Sequence, residues 1–217
     1  MNLNRLLILI LLLIGIHIES NAQEFEYTHQ GTTYLVHAHI SKSTASVKIM
    51  KTTQNHVSVP SQITTYYYDE KKVLRTRILI VECFLVRLEG TNLTSLSLPY
   101  TVKRIMAGTD YTPSWNSSLR SVSMPGVEEV CRRAFQRCTA ITSIHMPNVR
   151  TIEENAFADC TSLTSVYLPN VQKIEYSAFQ NCISLTSVSL TNLRTIGNSA
   201  FEGCVSLRDI YMPVSYT

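Results

Sequence analysis

The sequence is poor in the residues on which most enzyme sites are built. Only seven glycines occur among 217 residues, and none is spaced to form the loops that cradle phosphate. It contains no G-x-S-x-G elbow, no H-E-x-x-H pair and no carboxylate pair in a recognisable frame. The expectation is a chain with no catalytic residue, no cofactor and no metal. Charge is equally sparse: 16% of residues are charged, the net charge is +3, and the basic residues form no block. Nucleic acid is therefore not an expected partner. With 45% hydrophobic residues, the composition is that of a folded protein rather than a disordered one.

Long apolar runs are missing except at the start, where Arg5 precedes a run from Leu6 to Ile16. That run is too short to span a bilayer, which takes about 20 residues. His17–Glu19 are polar, and Ser20 and Ala22 place small residues at the −3 and −1 positions of a cut. The segment 1–22 thus reads as a secretory signal peptide cleaved after Ala22, with the mature chain starting at Gln23. A secreted or cell-surface location follows as the expectation, with no membrane span left after cleavage.

What the chain does have is repetition. Ala-Phe recurs at Ala134, Ala156, Ala178 and Ala200, at intervals of 22 residues, and the following cysteine lands at Cys138, Cys160, Cys182 and Cys204. Apolar triplets keep the same step: Ile141/Ile144/Met146, Leu163/Val166/Leu168, Leu185/Val188/Leu190 and Leu207/Ile210/Met212. Looser copies precede them at Leu93/Leu96/Leu98 and Leu119/Val122/Met124. The L-x-x-L-x-L triplet on a 20 to 29 residue period is the strand signature of a leucine-rich repeat.

In Val166-Tyr167-Leu168 the outer two side chains point one way and Tyr167 the other, so one face enters a core and one stays in water. Pro99, Pro125, Pro147, Pro169 and Pro213 are read as strand stops, because proline offers no N–H to the ladder. Val171 and Ile174 supply a second apolar edge, and Ala178, Phe179 and Cys182 close the circuit on a short helical turn. Each circuit brings about eight apolar side chains inward. That burial is worth less than the entropy lost in fixing a circuit's backbone, so single copies cannot stand alone. They must stack.

The pattern AFxxCxSLxSVxLPNVxxI of Ala156–Ile174 resembles the BspA-like leucine-rich repeats of bacterial surface and secreted proteins. The resemblance covers about Leu93 to Thr217 strongly, while EFEYTHQGTTYLV and VSVPSQIT resemble the β-rich region found ahead of such repeats. It implies a leucine-rich repeat solenoid, mainly β with short helical turns on the convex side, behind a β-rich N-terminal cap. The implied domains are the signal peptide 1–22, a cap with a degenerate first repeat over 23–90, and repeats over 91–217. It further implies a non-catalytic, surface-associated protein that binds host or neighbouring-cell proteins. Two segments depart from the pattern: Lys71–Gly90, where Cys83 is out of register, and Met106–Ser118, a loop on the convex side carrying Trp115, the only tryptophan. The sequence finishes five residues after Met212 without a polar capping unit, so that either it continues elsewhere or its last strand is open to a partner.

Four cysteines in register invite a zinc reading. Rungs about 4.8 Å apart would spread the sulfurs along a line that no tetrahedron can gather. Neighbouring pairs lie within disulfide reach, but parallel inward side chains suit the required dihedral badly. Buried thiols are the expectation. Cys131 takes the place of Glu153, Glu175 and Gly197 and is expected at the surface. His37 and His39 share a strand face without a convincing third ligand; His29 and His56 read as loop residues.

The outward strand positions remain. Ser97, Ser123, His145, Tyr167, Ser189 and Tyr211 form the candidate protein-binding face, flanked by Ser95, Ser121, Ser143, Ser165, Ser187 and Asp209. Hydroxyls with interspersed aromatics suit adaptable recognition, although serine also merely tolerates a strand surface. Adhesion to extracellular or cell-surface proteins is the favoured function. The alternatives are an assembly module pairing through its C-terminal edge, or an accessory domain of a glycan-binding system.

Overall fold

A computed structural model describes residues 22–39, 44–68, 74–86, 92–107 and 117–212. The expected signal peptide, apart from Ala22, and Trp115 lie outside the described residues. The chain opens with β1 (Ala22–His29) and β2 (Thr32–His39), an antiparallel hairpin. Gln30 (φ 47°) and Gly31 (φ 74°) turn it, both in the left-handed region that a tight two-residue hairpin demands. Tyr34, Val36 and Ala38 bury one face of β2, the period-two pattern of a half-buried strand. β3 (Thr44–Thr52) completes the cap's meander.

The joint between cap and solenoid is made by β4 (His56–Ser58), β5 (Gln62–Tyr68) and β6 (Leu74–Val86). β6 runs for 13 residues, pairing antiparallel with β5 and parallel with β3. Its C-terminal part, including buried Phe84, pairs parallel with β8 (Arg104–Ala107), which follows β7 (Ser95–Ser97). The segment whose repeat pattern is lost therefore supplies a strand that bridges two architectures.

From here each circuit contributes one three-residue strand and one two-residue strand. The former are β9 (Ser121–Ser123), β11 (Ser143–His145), β13 (Ser165–Tyr167), β15 (Ser187–Ser189) and β17 (Asp209–Tyr211). The latter are β10 (Glu129–Val130), β12 (Thr151–Ile152), β14 (Lys173–Ile174) and β16 (Thr195–Ile196). They form a seven-stranded parallel sheet, β17-β15-β13-β11-β9-β7-β4, and continue the cap's sheet as β6-β8-β10-β12-β14-β16. The result is a β-solenoid of about five turns.

The core is columnar. Ala156, Phe157, Cys160, Leu163, Val166, Leu168, Val171 and Ile174 are all buried, eight side chains from one circuit. The rings of Phe135, Phe157, Phe179 and Phe201 stack at 5.3 Å between successive centroids. The cysteines have a role beyond filling space. The Phe157 carbonyl accepts Cys160 N–H from its own turn at 3.3 Å and the Cys182 thiol from the next at 3.3 Å. Cys160 donates likewise to Phe135 O, and Cys204 to Phe179 O. A carbonyl has two lone pairs, and the thiol occupies the second where water cannot reach. Burial pushes the Cys160 thiol well above its ordinary range, so it donates as a neutral S–H.

The Ala-Phe side differs from the short helical turn expected: among the described residues there is no helix. Tight turns, such as Cys138 N–H to Phe135 O, alternate with left-handed residues at Arg133, Arg137, Asn155, Asp159, Ser177, Asn181, Ser199 and Gly203. This alternation aims backbone donors at the next rung. Arg133, Phe135 and Arg137 donate to the carbonyls of Glu154, Ala156 and Ala158, and Asn155, Phe157 and Asp159 repeat the pattern one rung on. All of these donors point toward the C-terminal end. Proline proves dispensable as a strand stop, because Thr191 replaces it after β15 and that strand still ends at Ser189.

Candidate functional site

The seven-stranded sheet places the outward side chains in two straight rows. Ser97, Ser123, His145, Tyr167, Ser189 and Tyr211 are register partners strand to strand, as are Ser95, Ser121, Ser143, Ser165, Ser187 and Asp209. β4 extends both rows by one position, with His56 beside Ser95 and Ser58 beside Ser97. His56 is thus a strand residue, bonded through Nδ1 to the Ser95 hydroxyl, and not a loop residue as expected. His29 likewise ends a strand, β1. Long-range pairing with Ser95 recruits His56, whereas His29 is held by the local hairpin opposite Thr32.

Rows of this kind need straight edges, and two ladders provide them. On one side Thr164 and Thr186 donate their hydroxyls to the carbonyls of Thr142 and Thr164. On the other, Asn148, Asn170 and Asn192 donate their side-chain amides to the carbonyls of Pro125, Pro147 and Pro169, at 2.7, 2.7 and 2.6 Å. The sequence signals this ladder only through the recurrence of Asn148, Asn170 and Asn192 on the 22-residue step. The ladder satisfies carbonyls left over where the chain turns away from the sheet.

Between the ladders, the His145 and Tyr167 rings stack at 5.1 Å and 3°. Tyr167 is 50% exposed and Tyr211 62%. A shallow groove of about 380 Å³ runs from His145 to Tyr211, floored by serine hydroxyls and the edges of Val166 and Val188. It can offer aromatic faces and hydroxyl hydrogen bonds along an extended segment.

The other candidates are placed elsewhere. His37 Nδ1 pairs with Glu24 Oε1 at 2.7 Å, and His39 Nε2 lies 3.4 Å from Ser46 Oγ, so the two rings have separate partners. Cys138, Cys160, Cys182 and Cys204 are all buried, and the last three are free thiols. Cys131 corrects an expectation: it is buried, not at the surface. Arg104 covers it, bridging Glu129 Oε2 at 2.6 Å and Cys131 Sγ at 3.7 Å. Burial, reinforced by Glu153 and Glu129, pushes this thiol up to about 12. Glu129, Cys131 and Glu153 converge within 4.8 Å, and the Arg104 guanidinium places a positive charge beside Glu129 and Cys131.

Residues 109–217 match the model of the BspA type leucine-rich repeat region, in six copies. Among solved structures, the chain is similar to a leucine-rich repeat protein of T. pallidum, with a TM-score of 0.66 and 22% identity over 86% of this chain and 82% of that one. At that identity the likeness is one of fold. No curated protein matches the chain.

Proposed function

The chain belongs to the BspA-type leucine-rich repeat family, and from that premise we propose that it is an exported recognition solenoid whose seven-stranded face adheres to proteins of host or neighbouring cells. Repeat domains of this family are typically non-catalytic and suited to protein interaction, and they are typical of bacterial surface proteins. The signal segment 1–22, the cap 23–90 and the repeats 91–217 fit that reading as leader, cover and binding body. One observation carries it: Tyr167 and Tyr211 stand half-exposed or more on a row whose other members are His145 and small hydroxyls. Exposed tyrosines at aligned positions offer a large contact area at low entropic cost.

The test has two arms. Purified protein is offered immobilised matrix proteins and whole cells, beside a Tyr167→Ala/Tyr211→Ala variant of unchanged circular dichroism. Loss of binding in the variant is expected; equal binding would remove this face. Recovery of the protein from the medium or outer surface of expressing cells, cleaved after Ala22, tests export.

A second reading rests on the last described rung. Ile196, Ile210 and Met212 are 42%, 43% and 40% exposed, whereas their counterparts Ile174, Val188 and Leu190 are buried. An assembly role through this edge predicts mass growing with concentration in light scattering, suppressed by Ile210→Lys. Retention on polysaccharide columns would instead favour the glycan-accessory role.

A further inference from the structure

The aromatic row is interrupted once. His145, Tyr167, Ser189 and Tyr211 occupy successive rungs, and only Ser189 lacks a ring. The two tyrosines therefore stand two rungs apart, about 9.6 Å at the usual strand spacing, and both line the same groove. A planar group placed over Ser189 would lie one rung from each of them. The chain itself shows this relation to be a comfortable one, because His145 and Tyr167 stack one rung apart at 5.1 Å.

Charge selects among planar groups. In the flanking row every residue from Ser95 to Ser187 is a serine, and β17 contributes Asp209, two residues from Tyr211 on the same face. Asp209 is exposed, and among the described residues no ion pair engages it. A neutral aromatic side chain seated over Ser189 would crowd this carboxylate without pairing it, a desolvation cost with no return. A lysine would pair it but bring no flat surface. Guanidinium does both: it stacks on aromatic faces and presents a fork of donors matched to a carboxylate, with donors left for the Ser187 and Ser189 hydroxyls.

We infer that the gap between Tyr167 and Tyr211 is a slot for an arginine side chain of the bound protein, with Asp209 as its counter-ion. This rests on the recognition face proposed above and adds the chemistry that the partner must carry there.

The probes are three blocked pentapeptides of glycine with arginine, lysine or tryptophan at the centre, titrated into the full-length protein and followed by NMR. The arginine peptide is expected to move Tyr167, Ser189 and Tyr211 resonances, and to bind about fivefold or more tighter than the other two. Ser189→Tyr fills the slot by continuing the ring row and should abolish that binding. Asp209→Asn, which leaves the rings alone, should erase the preference for arginine over tryptophan. Should either variant fold poorly, Tyr211→Ala takes its place as the wall-removing control. The inference falls if tryptophan or lysine binds as well as arginine, if no peptide moves these resonances, or if Ser189→Tyr changes nothing. Whole-protein binding that is lost in Tyr167→Ala/Tyr211→Ala but kept in Ser189→Tyr leaves the face standing and removes the slot alone. Arginine-peptide binding with unchanged adhesion in the double variant does the reverse.

Discussion

The rings of Phe157 and Phe179 lie 5.3 Å apart and 8° from parallel, both fully buried. Each ring is floor and ceiling to its neighbours, so removing one opens a gap that two rungs share. Phe157→Ala is expected to cost about 3–5 kcal/mol, and Phe201→Ala less, because Phe201 is only partly buried. Chemical denaturation of both variants checks the order; equal losses would contradict a continuous column.

Ser177 has φ 51° and a fully buried hydroxyl without a hydrogen-bond partner. Left-handed backbone is costly for an L-residue and a buried orphan hydroxyl adds to it. Ser177→Gly relieves both and should stabilise by about 1 kcal/mol, raising Tm by about 2–4 °C. A fall in Tm on calorimetry would mean that the hydroxyl has an unseen role.

Gly126 stands where later rungs carry Asn148, Asn170 and Asn192. The preceding turn, Pro99–Val102, holds one residue more than its successors, and a Cβ at position 126 would meet the Tyr100 carbonyl oxygen at 1.9 Å. Gly126→Asn, although it restores the repeat pattern, should therefore destabilise by about 3 kcal/mol. A gain in denaturation midpoint would refute the clash.

Glu153 is raised above its ordinary 4.5, first by burial and then by sharing a hydrogen bond with Glu129. The fold favours its protonated form, so that stabilisation is complete below about pH 4.5 and fades as pH rises through the raised value. Glu153→Gln keeps a neutral side chain and an acceptor for Arg132 N–H, which bonds Glu153 Oε2 at 2.8 Å. The variant should be more stable than the parent at pH 7 and no more stable at pH 4. Denaturation midpoints at the two values decide it; a gain that persists at pH 4 would point away from ionisation.

The 22-residue step exposed the stacked rungs, the Phe and Cys columns and the outward rows, because every copy reports the same environment. Where the chain says something only once, that reading weakened. β6 finds its place by pairing with β3 at Thr44↔Ile80 and with β8 at Phe84↔Ile105, contacts that no local pattern encodes. His56 joined the face for the same reason. Cys131 was misplaced because its burial comes from Arg104, a side chain 27 residues away. The asparagine ladder lay in plain sight within LPN, but its partner is a carbonyl, and carbonyls leave no mark on sequence.

The backbone donors of the Ala-Phe side give the solenoid a direction. In the last described rung the amides of Ser199, Phe201 and Gly203, which would continue the inter-rung bonds, have no acceptor among the described residues. Two copies meeting there about a twofold axis would set amide against amide. Carbonyls answer those amides only when the second molecule arrives in the same orientation as the first. A second copy that paired through these three amides would therefore meet the rung head to tail, an arrangement that closes into a ring or runs on as a filament according to its rotation.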